Sequence, residues 1–350
     1  MHCVIIGWAL HDSDRKIIYD YPELNGDPHA LSASNINPYL VDAIDIVLSS
    51  LRTPICQVPE IIFGSMPNDG GNLLLSPDEK MEFLKREPKA SKWLRRLVGS
   101  EEFINNIERW CLWLIGIKPE ELRSMPLVLD RVEAVNRHRK ESSRATTREL
   151  AVTPSLFGEI RQPDSGNYLL IPSTSSERRA YIPIGFLSSD IIATNANHII
   201  PQATRYHFGV LSSAMHMAWV RHVAGRLESR YRYSNQIVYN NFPWPSEPSE
   251  KQVAAIEHAA KAVLDARAAH PESSLADLYD PVAMPPDLRK AHQALDHAVD
   301  KAYVVAGFKP APTKSDAERV AFLFDLYHKY TSLLPAPEKV KKRRRKRILR

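Results

Sequence analysis

Residues 230–245 read RYRYSNQIVYNNFPWP, and the character of the chain changes where this stretch ends. Upstream of it, from about residue 167, short apolar runs bounded by Pro, Asn and Ser are typical of β-strands. Downstream, residues 249–270, 287–305 and 315–333 are alanine-rich and amphipathic at helical spacing. The stretch therefore predicts a boundary near residue 245, with a mixed α/β part before it and a helical part after it.

The composition is that of a globular protein with two or three domains. The chain has 350 residues, of which 44% are apolar and 25% are charged, and this length can bury a core in each domain. No apolar run reaches the ~18–20 residues of a membrane span. The N-terminal MHCVIIGWAL lacks the basic start and the cleavage site of a signal peptide. We therefore expect a cytoplasmic protein without a membrane segment.

The cysteines and histidines predict no metal site. Cys3, Cys56 and Cys111 are far apart and form no Cys-x-x-Cys pair, which argues against a disulfide framework and favours a reducing cytosol. Three histidines between residues 207 and 222 are nine and six residues apart in one predicted helix. Because only spacings of three or four share a helix face, we expect ordinary surface or interface histidines there.

The positive charge of the chain is concentrated at its C-terminal end. Residues 339–350 read KVKKRRRKRILR and hold nine basic residues and no acid. Subtracting these nine charges from the net charge of +5 leaves −4 for the rest of the chain. Residues 337–350 are therefore expected to form a disordered basic tail, which is either a solvated segment or an arm that contacts DNA phosphates.

The first 150 residues show strand and helix patterns around a mostly irregular segment at about 23–76. Residues 1–22 predict a strand pair, HCVIIGW and IIYDY, joined by a charged turn. The run SPDEKMEFLKRE predicts a helix that begins at Ser76, with Glu79 completing a capping box. Short basic helices are expected through WLRRLV, a buried strand at RWCLWLI, and one long helix with an arginine-rich exposed face from Pro126 to about Leu150.

The segment from residue 167 to residue 227 predicts strands followed by a helix. NYLLIP, RAYIPIGFL, DIIAT and HIIP are strand-like runs. From about residue 204 to 227, apolar residues recur at spacings near three and four, which predicts a helix.

Motifs for DNA methylation are absent or broken in this sequence. Amino-methylation of a DNA base uses a Gly-rich loop for S-adenosylmethionine and an Asn/Asp/Ser-Pro-Pro-aromatic loop for the flipped base. The sequence contains no Gly-x-Gly. Asn37-Pro38-Tyr39 and Asn241-Phe242-Pro243-Trp244 both lack the Pro-Pro pair, and neither is assigned as catalytic.

The run Gly225–Ser234, GRLESRYRYS, carries a signal for reading DNA bases. If this run is extended, Glu228, Arg230 and Arg232 lie on one side of it. A glutamate can accept a hydrogen bond from cytosine N4, and an arginine can donate two to guanine O6 and N7. Glu228 and Arg230 could therefore read one C·G pair, although a salt-bridge cluster on a solvated face explains the same residues.

A longer run resembles the MmeI-like (type IIL) restriction–modification enzymes and their stand-alone adenine-N6 DNA methyltransferase relatives. HFGVLSSAMHMAWVRHVAGRLESRYRYSNQIVYNNFPWP is similar to the region that closes their target-recognition domain. Other segments resemble the family in the same order: HCVIIG, INPYLVDA, MPNDGGNLLLS, RWCLWL, FGEIRQP, SSERRAYIPIGFL and SSLADLYDPVAMPPDLRKAHQALDHAVDKAY. The resemblance covers residues 1–335 and implies that FPWP is the structural junction between two domains.

The resemblance implies an α/β (α+β) architecture in four parts. Residues 1–60 would be the last strands of a class I methyltransferase sheet, 61–245 a mixed α/β target-recognition domain, and 246–336 a helical C-terminal region before the basic tail at 337–350. HCVIIG resembles a strand downstream of both the cofactor loop and the catalytic loop. The resemblance therefore implies no catalytic and no S-adenosylmethionine-binding residue in this chain, and a truncated gene, a split gene or a partial gene model.

The resemblance also implies the residues that contact DNA. By position, Glu228 and Arg230 would read one base pair and Arg232 a neighbouring pair, with residues around Ala196 contributing from another strand. Phosphate contacts position a protein without specifying sequence, and the solvated-charge alternative is open for each candidate. The candidates are Lys92, Arg95, Arg96, Arg178, Arg179 and Arg226.

The leading hypothesis is sequence-specific recognition of duplex DNA on behalf of an adenine-N6 methyltransferase in a restriction–modification or defence system. One alternative is a free-standing specificity module that works with a separately encoded catalytic subunit. Another is an inactive remnant. In each case double-stranded DNA is the expected partner, and in the first two a catalytic methyltransferase half is expected as well.

Overall fold

The computed structural model describes residues 4–21, 26–304, 307 and 316–332. The strands, in chain order, are β1 (Lys16–Asp20), β2 (His29–Ala33), β3 (Ile62–Phe63), β4 (Leu74–Leu75), β5 (Leu94–Val98), β6 (Trp110–Leu112), β7 (Asn167–Pro172), β8 (Thr174–Ser175), β9 (Gly185–Ser188), β10 (Ile191–Ala193), β11 (Asn197–Pro201), β12 (Gly225–Leu227) and β13 (Arg230–Arg232). The α-helices are α1 (Pro77–Arg86), α2 (Ser100–Asn105), α3 (Pro119–Arg123), α4 (Pro126–Lys140), α5 (Ala145–Glu149), α6 (Arg205–Leu211), α7 (Ala214–Val223), α8 (Glu250–Ala268), α9 (Leu275–Leu278), α10 (Pro286–Ala302) and α11 (Asp316–Ser332). This mixture confirms the predicted α/β class.

The N-terminal segment forms a hairpin that differs from the predicted one. β1, which contains most of IIYDY, pairs antiparallel with β2. The predicted strand over residues 2–8 is wrong for residues 4–8, which form no strand, and residues 1–3 lie outside the described part of the chain. Nothing in the described chain covers the apolar side chains here, namely Val4, Ile5, Ile6, Trp8 and Leu10. An apolar run becomes a strand only where a partner backbone lies beside it.

The first four-stranded sheet has the order β10-β5-β6-β4 and packs against helices α1, α3 and α4. α1 begins as predicted, because Ser76 and Glu79 form a reciprocal capping box. β6 confirms the strand predicted at RWCLWLI. The short helices predicted through WLRRLV are wrong over residues 94–98, which form strand β5. This strand pairs on one side with β6 and on the other with β10, so two ladders of backbone hydrogen bonds outweigh the local helix preference.

The long helix predicted from Pro126 to about Leu150 is wrong in its last third. α4 ends at Lys140, and α5 is a separate short helix. The cause is Arg139, which was expected on an exposed arginine-rich face but is fully buried. Its guanidinium donates to the carbonyls of five residues: Pro67, Asn68, Leu150, Thr153 and Leu156. These bonds require the chain after α4 to turn back towards Arg139.

The second four-stranded sheet has the order β3-β11-β7-β9 and confirms the strand pattern predicted between residues 167 and 201. A tight turn at residues 194–196 leads from β10 in the first sheet to β11 in the second. Gly64, beside β3, makes this crossing possible. A Cβ on Gly64 would lie 2.3 Å from the carbonyl oxygen of Thr194, so only glycine allows the two backbones to approach this closely.

The helix predicted over residues 204–227 is two helices and a strand. α6 ends at Leu211, and α7 begins after Ser213, whose side chain accepts from the His216 N–H. α7 ends at Val223, and residues 225–227 form β12, which pairs with β13. β13 pairs in turn with β8. The chain leaves the helix because β12 and β13 complete a three-stranded sheet.

The C-terminal helices α8, α10 and α11 confirm the three predicted after residue 245. They pack with α6 and α7 around one large apolar core that includes Phe242 and Trp244. The hydroxyl of Tyr303 donates to the carbonyl of Pro243, and that of Tyr330 to the carbonyl of Trp244, both at 3.0 Å. These contacts support the predicted structural role of FPWP at the junction.

Candidate nucleic-acid interface

The hairpin formed by β12 and β13 presents charged side chains on an open surface. Arg230 and Arg232 are exposed, whereas Tyr231 between them is buried. This alternation places the two arginines on one face of β13. Glu228 lies in the turn at the hairpin tip with a φ of 58°. The prediction of base reading assumed that it lies in an extended strand. Its side chain nevertheless lies beside that of Arg230.

Glu228 and Arg230 form a salt bridge. Nη2 of Arg230 donates to Oε2 of Glu228 at 2.8 Å, and both side chains are substantially exposed. The salt bridge expected as the alternative is therefore present. Because an exposed pair of this kind contributes less than about 1 kcal/mol, it does not prevent either group from contacting a base.

Arg226 lies on the same hairpin but is held against the protein. Its guanidinium lies 4.1 Å from the centre of the Tyr231 ring, and Nη2 donates to the carbonyl of Arg221 at 2.9 Å. The residue is nevertheless exposed. It combines a stacking contact with an exposed position on the hairpin.

The exposed Ala196 lies in the turn between β10 and β11, held by backbone and side-chain donors. Its carbonyl accepts from the Ser100 hydroxyl at 2.6 Å and from the Ser173 N–H at 3.1 Å. The next residue, Asn197, donates from its amide to the carbonyl of Val98 at 2.9 Å. These bonds fix the turn relative to both four-stranded sheets.

The Ala196 turn and the hairpin are connected by two backbone hydrogen bonds of Ser173. The N–H of Ser173 donates to Ala196, and its carbonyl accepts from the N–H of Tyr233 at 2.9 Å. Two strand spacings amount to about 10 Å, so Ala196 and the end of β13 lie within the ~12 Å width of a DNA major groove. The structure thus places Ala196 near Arg232 at the end of β13, whereas Glu228 and Arg230 contact each other nearer the hairpin tip.

Two predicted phosphate contacts follow the strand that pairs with this hairpin. Arg178 is exposed and Arg179 half-buried, in the loop after β8. Burial lowers the pKa of Arg179, and the nearby Asp280 opposes that effect. Of the two side chains, that of Arg178 is the more accessible to DNA.

Of the other three predicted contacts, Arg95 and Arg96 lie in β5 of the first four-stranded sheet, and Lys92 lies in a short 3-10 helix just before it. Lys92 forms a salt bridge with Glu121. Arg95 donates to the carbonyl of Lys92 at 2.9 Å, and Arg96 donates to the side chain of Asn106 at 3.2 Å. Because Arg95 and Arg96 are consecutive in β5, they point to opposite faces of the sheet. The structure therefore does not bring these three residues to the hairpin as one group.

Below the hairpin lies a buried polar cluster that sequence patterns did not indicate. Nδ1 of His198 lies 3.2 Å from Oγ of Ser173, and Nε2 of His216 lies 3.0 Å from the Tyr233 hydroxyl. Burial lowers the pKa of His198 to about 4, with a smaller effect from Arg232, and lowers that of His216 to about 3. Both rings are therefore neutral at pH 7. His216 is an interior residue and not the surface or interface histidine expected from its spacing.

The two asparagines of the broken catalytic motifs bond their own surroundings. Oδ1 of Asn37 accepts from the N–H groups of Tyr39 and Val41. The Asn241 amide donates to three backbone carbonyls, of Ser49, Gln236 and Ile237. Both side chains stabilise the local backbone.

Within the described ranges, no three or more His, Cys, Asp or Glu side chains are grouped so that they could hold a metal ion. In the same described residues, no helix has the length and apolarity to cross a membrane.

Comparisons with known proteins match nearly the whole chain. The family model described as the MmeI target recognition domain matches residues 42–246, and that described as the MmeI C-terminal domain matches residues 248–335. A curated relative, DNA methyltransferase A of Bacillus subtilis (strain 168), is 41% identical over 299 residues. These cover 85% of this chain and 33% of the relative.

A solved structure of the type IIL restriction-modification enzyme MmeI in complex with DNA is 52% identical, with a TM-score of 0.85. The match covers 93% of this chain and 42% of that one. The chain thus spans about a third of the curated relative and less than half of the solved protein. The first family model alone matches more than half of the chain, and its matched region contains the hairpin, the Ala196 turn and Ser173, which is bonded to both. The chain belongs to the MmeI family.

Proposed function

We propose that this chain recognises a specific duplex DNA sequence as the specificity part of an adenine-N6 DNA methyltransferase in a restriction–modification or defence system. The observation that carries the proposal is the β12–β13 hairpin, on which Glu228, Arg230 and Arg232 are charged and exposed while Tyr231 anchors the hairpin to the core. A two-stranded β-ribbon fits the major groove, where each base pair presents a distinct pattern of donors and acceptors.

Within this proposal, Glu228 and Arg230 read one C·G pair, the carboxylate accepting from cytosine N4 and the guanidinium donating to guanine O6 and N7. Their separation in sequence and their contact at 2.8 Å support a joint role, because the two bases of one pair are themselves adjacent. Arg232 reads a neighbouring pair, with the Ala196 turn beside it.

The basic side chains around the hairpin supply affinity without sequence information. Arg178 and Arg226 are the strongest of these candidates, because both are exposed, Arg226 on the hairpin itself and Arg178 in the loop after the strand that pairs with it. Arg179 is half-buried, and Lys92, Arg95 and Arg96 are bonded within the protein. We therefore assign these four residues weaker phosphate contacts.

Methylation itself requires a catalytic half that binds S-adenosylmethionine. The relatives' names refer to a DNA methyltransferase and to a restriction-modification enzyme, and this chain spans only part of each. The uncovered apolar side chains of residues 4–10 support a further protein surface packed against residues 1–60, which we assign to the end of the methyltransferase domain. That surface belongs either to the same polypeptide or to a separate catalytic subunit.

The test is selection of bound sequences from a library of duplexes with a randomised central segment, using the purified chain. We expect one preferred sequence, bound ~10³-fold or more above competitor DNA, and an affinity that falls steeply with salt. A control protein with Glu228→Ala and Arg230→Ala should lose preference at one base pair. Binding without any sequence preference would contradict the proposed function and favour an inactive remnant.

A further inference from the structure

A chain of hydrogen bonds connects the two halves of the proposed base-reading surface. It runs from the carbonyl of Ala196 to the N–H of Ser173, and from the carbonyl of Ser173 to the N–H of Tyr233. Tyr233 directly follows Arg232 in sequence. Among the described residues, Ser173 is therefore bonded both to the Ala196 turn and to the residue that follows the arginine-bearing strand.

The side chain of Ser173 is itself held by His198. Oγ of Ser173 and Nδ1 of His198 are 3.2 Å apart, and both residues are buried. The imidazole packs 4.5 Å from the ring of Phe63 and 5.8 Å from that of Tyr233. His198 is thus enclosed by β3 on one side and by the end of the hairpin strand on the other, so its ring orients Ser173 between them.

This linkage acts on one end of the hairpin only. β8 pairs with Tyr231 and Arg232, whereas Arg230 and Glu228 extend beyond that pairing towards the free tip. A change in the position of Ser173 therefore reaches Arg232 directly, through the neighbouring backbone. It reaches the Glu228–Arg230 pair only through the rest of the hairpin.

We propose that Ser173 and His198 are positioning residues that set the distance between Ala196 and Arg232, and thereby the base preference at the pair that Arg232 reads. This inference rests on the proposed function and adds two residues that touch no base. The hydrogen bond between the Ser173 hydroxyl and the His198 ring holds the peptide bonds on both sides of residue 173 in place. Ala196 and Arg232 then contact the same part of the DNA major groove.

The experiment compares the full chain with four variants on a duplex library derived from the parent's preferred sequence, in which single base pairs are varied in turn. His198→Leu and Ser173→Ala remove the hydrogen bond. His198→Asn keeps a polar group near the position of Nδ1. Ser212→Ala is the matched control, because Ser212 is an equally buried serine outside the chain of bonds.

We expect His198→Leu and Ser173→Ala to reduce the preference at the Arg232 base pair by about tenfold, comparable to one lost base contact. The preference at the Glu228–Arg230 base pair should change less than about twofold by the same scale. His198→Asn should restore much of the first preference, and Ser212→Ala should leave both unchanged. Thermal melting shows whether each variant is folded. If His198→Leu is unfolded, the comparison of Ser173→Ala with His198→Asn decides the outcome.

Two results would overturn the inference, and they differ from failure of the proposed function. Equal losses at both base pairs would show a general weakening of the hairpin, and unchanged preferences would show that the linkage has no role in recognition. A parent chain without any preference contradicts the proposed function, and the positioning role falls with it. A parent chain with a preference that the variants keep contradicts the positioning role alone.

Discussion

Arg230 is bonded to Glu228, with 2.8 Å between Nη2 and Oε2. The two side chains that we assign to one C·G pair therefore neutralise each other. An isolated guanidinium would attract any phosphate, and a paired one does so less. The salt bridge thus favours release from sequences that do not present both a cytosine amino group and a guanine edge.

Exchanging the chemistry of this pair should invert its preference. In the double variant Glu228→Lys and Arg230→Asp, the acceptor and donor have changed places, so the preferred pair should become G·C. Because a bidentate base contact contributes about 1–3 kcal/mol, the parent and the variant should differ by about 10- to 100-fold on matched duplexes that differ at that pair. Fluorescence anisotropy titrations measure both affinities. An unchanged preference would remove Glu228 and Arg230 from base reading.

Replacing Arg139 should destabilise the fold more than replacing any exposed arginine of α4. Arg139→Lys leaves three donors to serve five backbone carbonyls and loses the planar geometry that reaches them. We expect the free energy of unfolding to fall by about 3 kcal/mol, as for other disrupted buried charges. Urea denaturation measures the loss.

The matched control for that measurement is Arg137→Lys, at an exposed position of the same helix. It should change the free energy of unfolding by less than about 0.5 kcal/mol. Equal effects of the two substitutions would mean that the buried guanidinium does not organise residues 150–156.

The buried His198 should make stability depend on pH. Burial lowers its folded-state pKa to about 4, below the ordinary value of 6.5, so the unfolded chain takes up the proton first. The neutral ring makes its full contribution to the free energy of unfolding above pH 6.5. That contribution is lost as the pH falls from 6.5 towards 4. Between pH 7 and pH 5, the stability of the parent relative to His198→Asn should decrease by about 2 kcal/mol.

The comparison with His198→Asn cancels the other titrating groups. One of them, Asp296, affects stability in the opposite direction. Burial raises its pKa to about 6, so the folded chain takes up this proton first and stability increases as the pH falls below 6. Chemical denaturation of both proteins at pH 7, 6 and 5 gives the difference. A stability difference that is constant with pH would mean that folding does not lower the pKa of His198.

The two tyrosines at the FPWP junction should contribute unequally. Tyr303 is fully buried and donates to the carbonyl of Pro243, whereas Tyr330 is partly exposed and donates to that of Trp244. Tyr303→Phe leaves a buried carbonyl unpaired and should cost about 1–2 kcal/mol. Tyr330→Phe lets water replace the lost donor and should cost less. Thermal unfolding ranks the two, and the reverse order would contradict this account of the junction.

Local patterns predicted the elements whose stability is local. The capping box at Ser76 and Glu79 and the amphipathic pattern of α8, α10 and α11 are set by neighbours in sequence. The patterns failed where distant residues decide. α4 ends early because Arg139 meets carbonyls from two remote segments, and WLRRLV is a strand because β6 and β10 lie on either side of it.

The same distinction applies to the candidate interface. The alternation of Arg and Tyr after Gly225 indicated which side chains face outward, and the structure places Arg230 and Arg232 there. Ser173 and His198 are 25 residues apart and carry no shared pattern. Only the pairing of β7 with β11 brings them together, so no local signal could have identified them.

The buried Tyr231 between two exposed arginines has an evolutionary consequence. Its side chain anchors the hairpin inward, so mutations at the outward positions 228, 230 and 232 leave the apolar interior unchanged. Under the proposed function, such a protein can acquire a new target sequence by a few codon changes without a loss of folding stability. A lineage that meets rapidly diverging foreign DNA would benefit, because substitutions at these three positions alter recognition and leave the apolar interior intact.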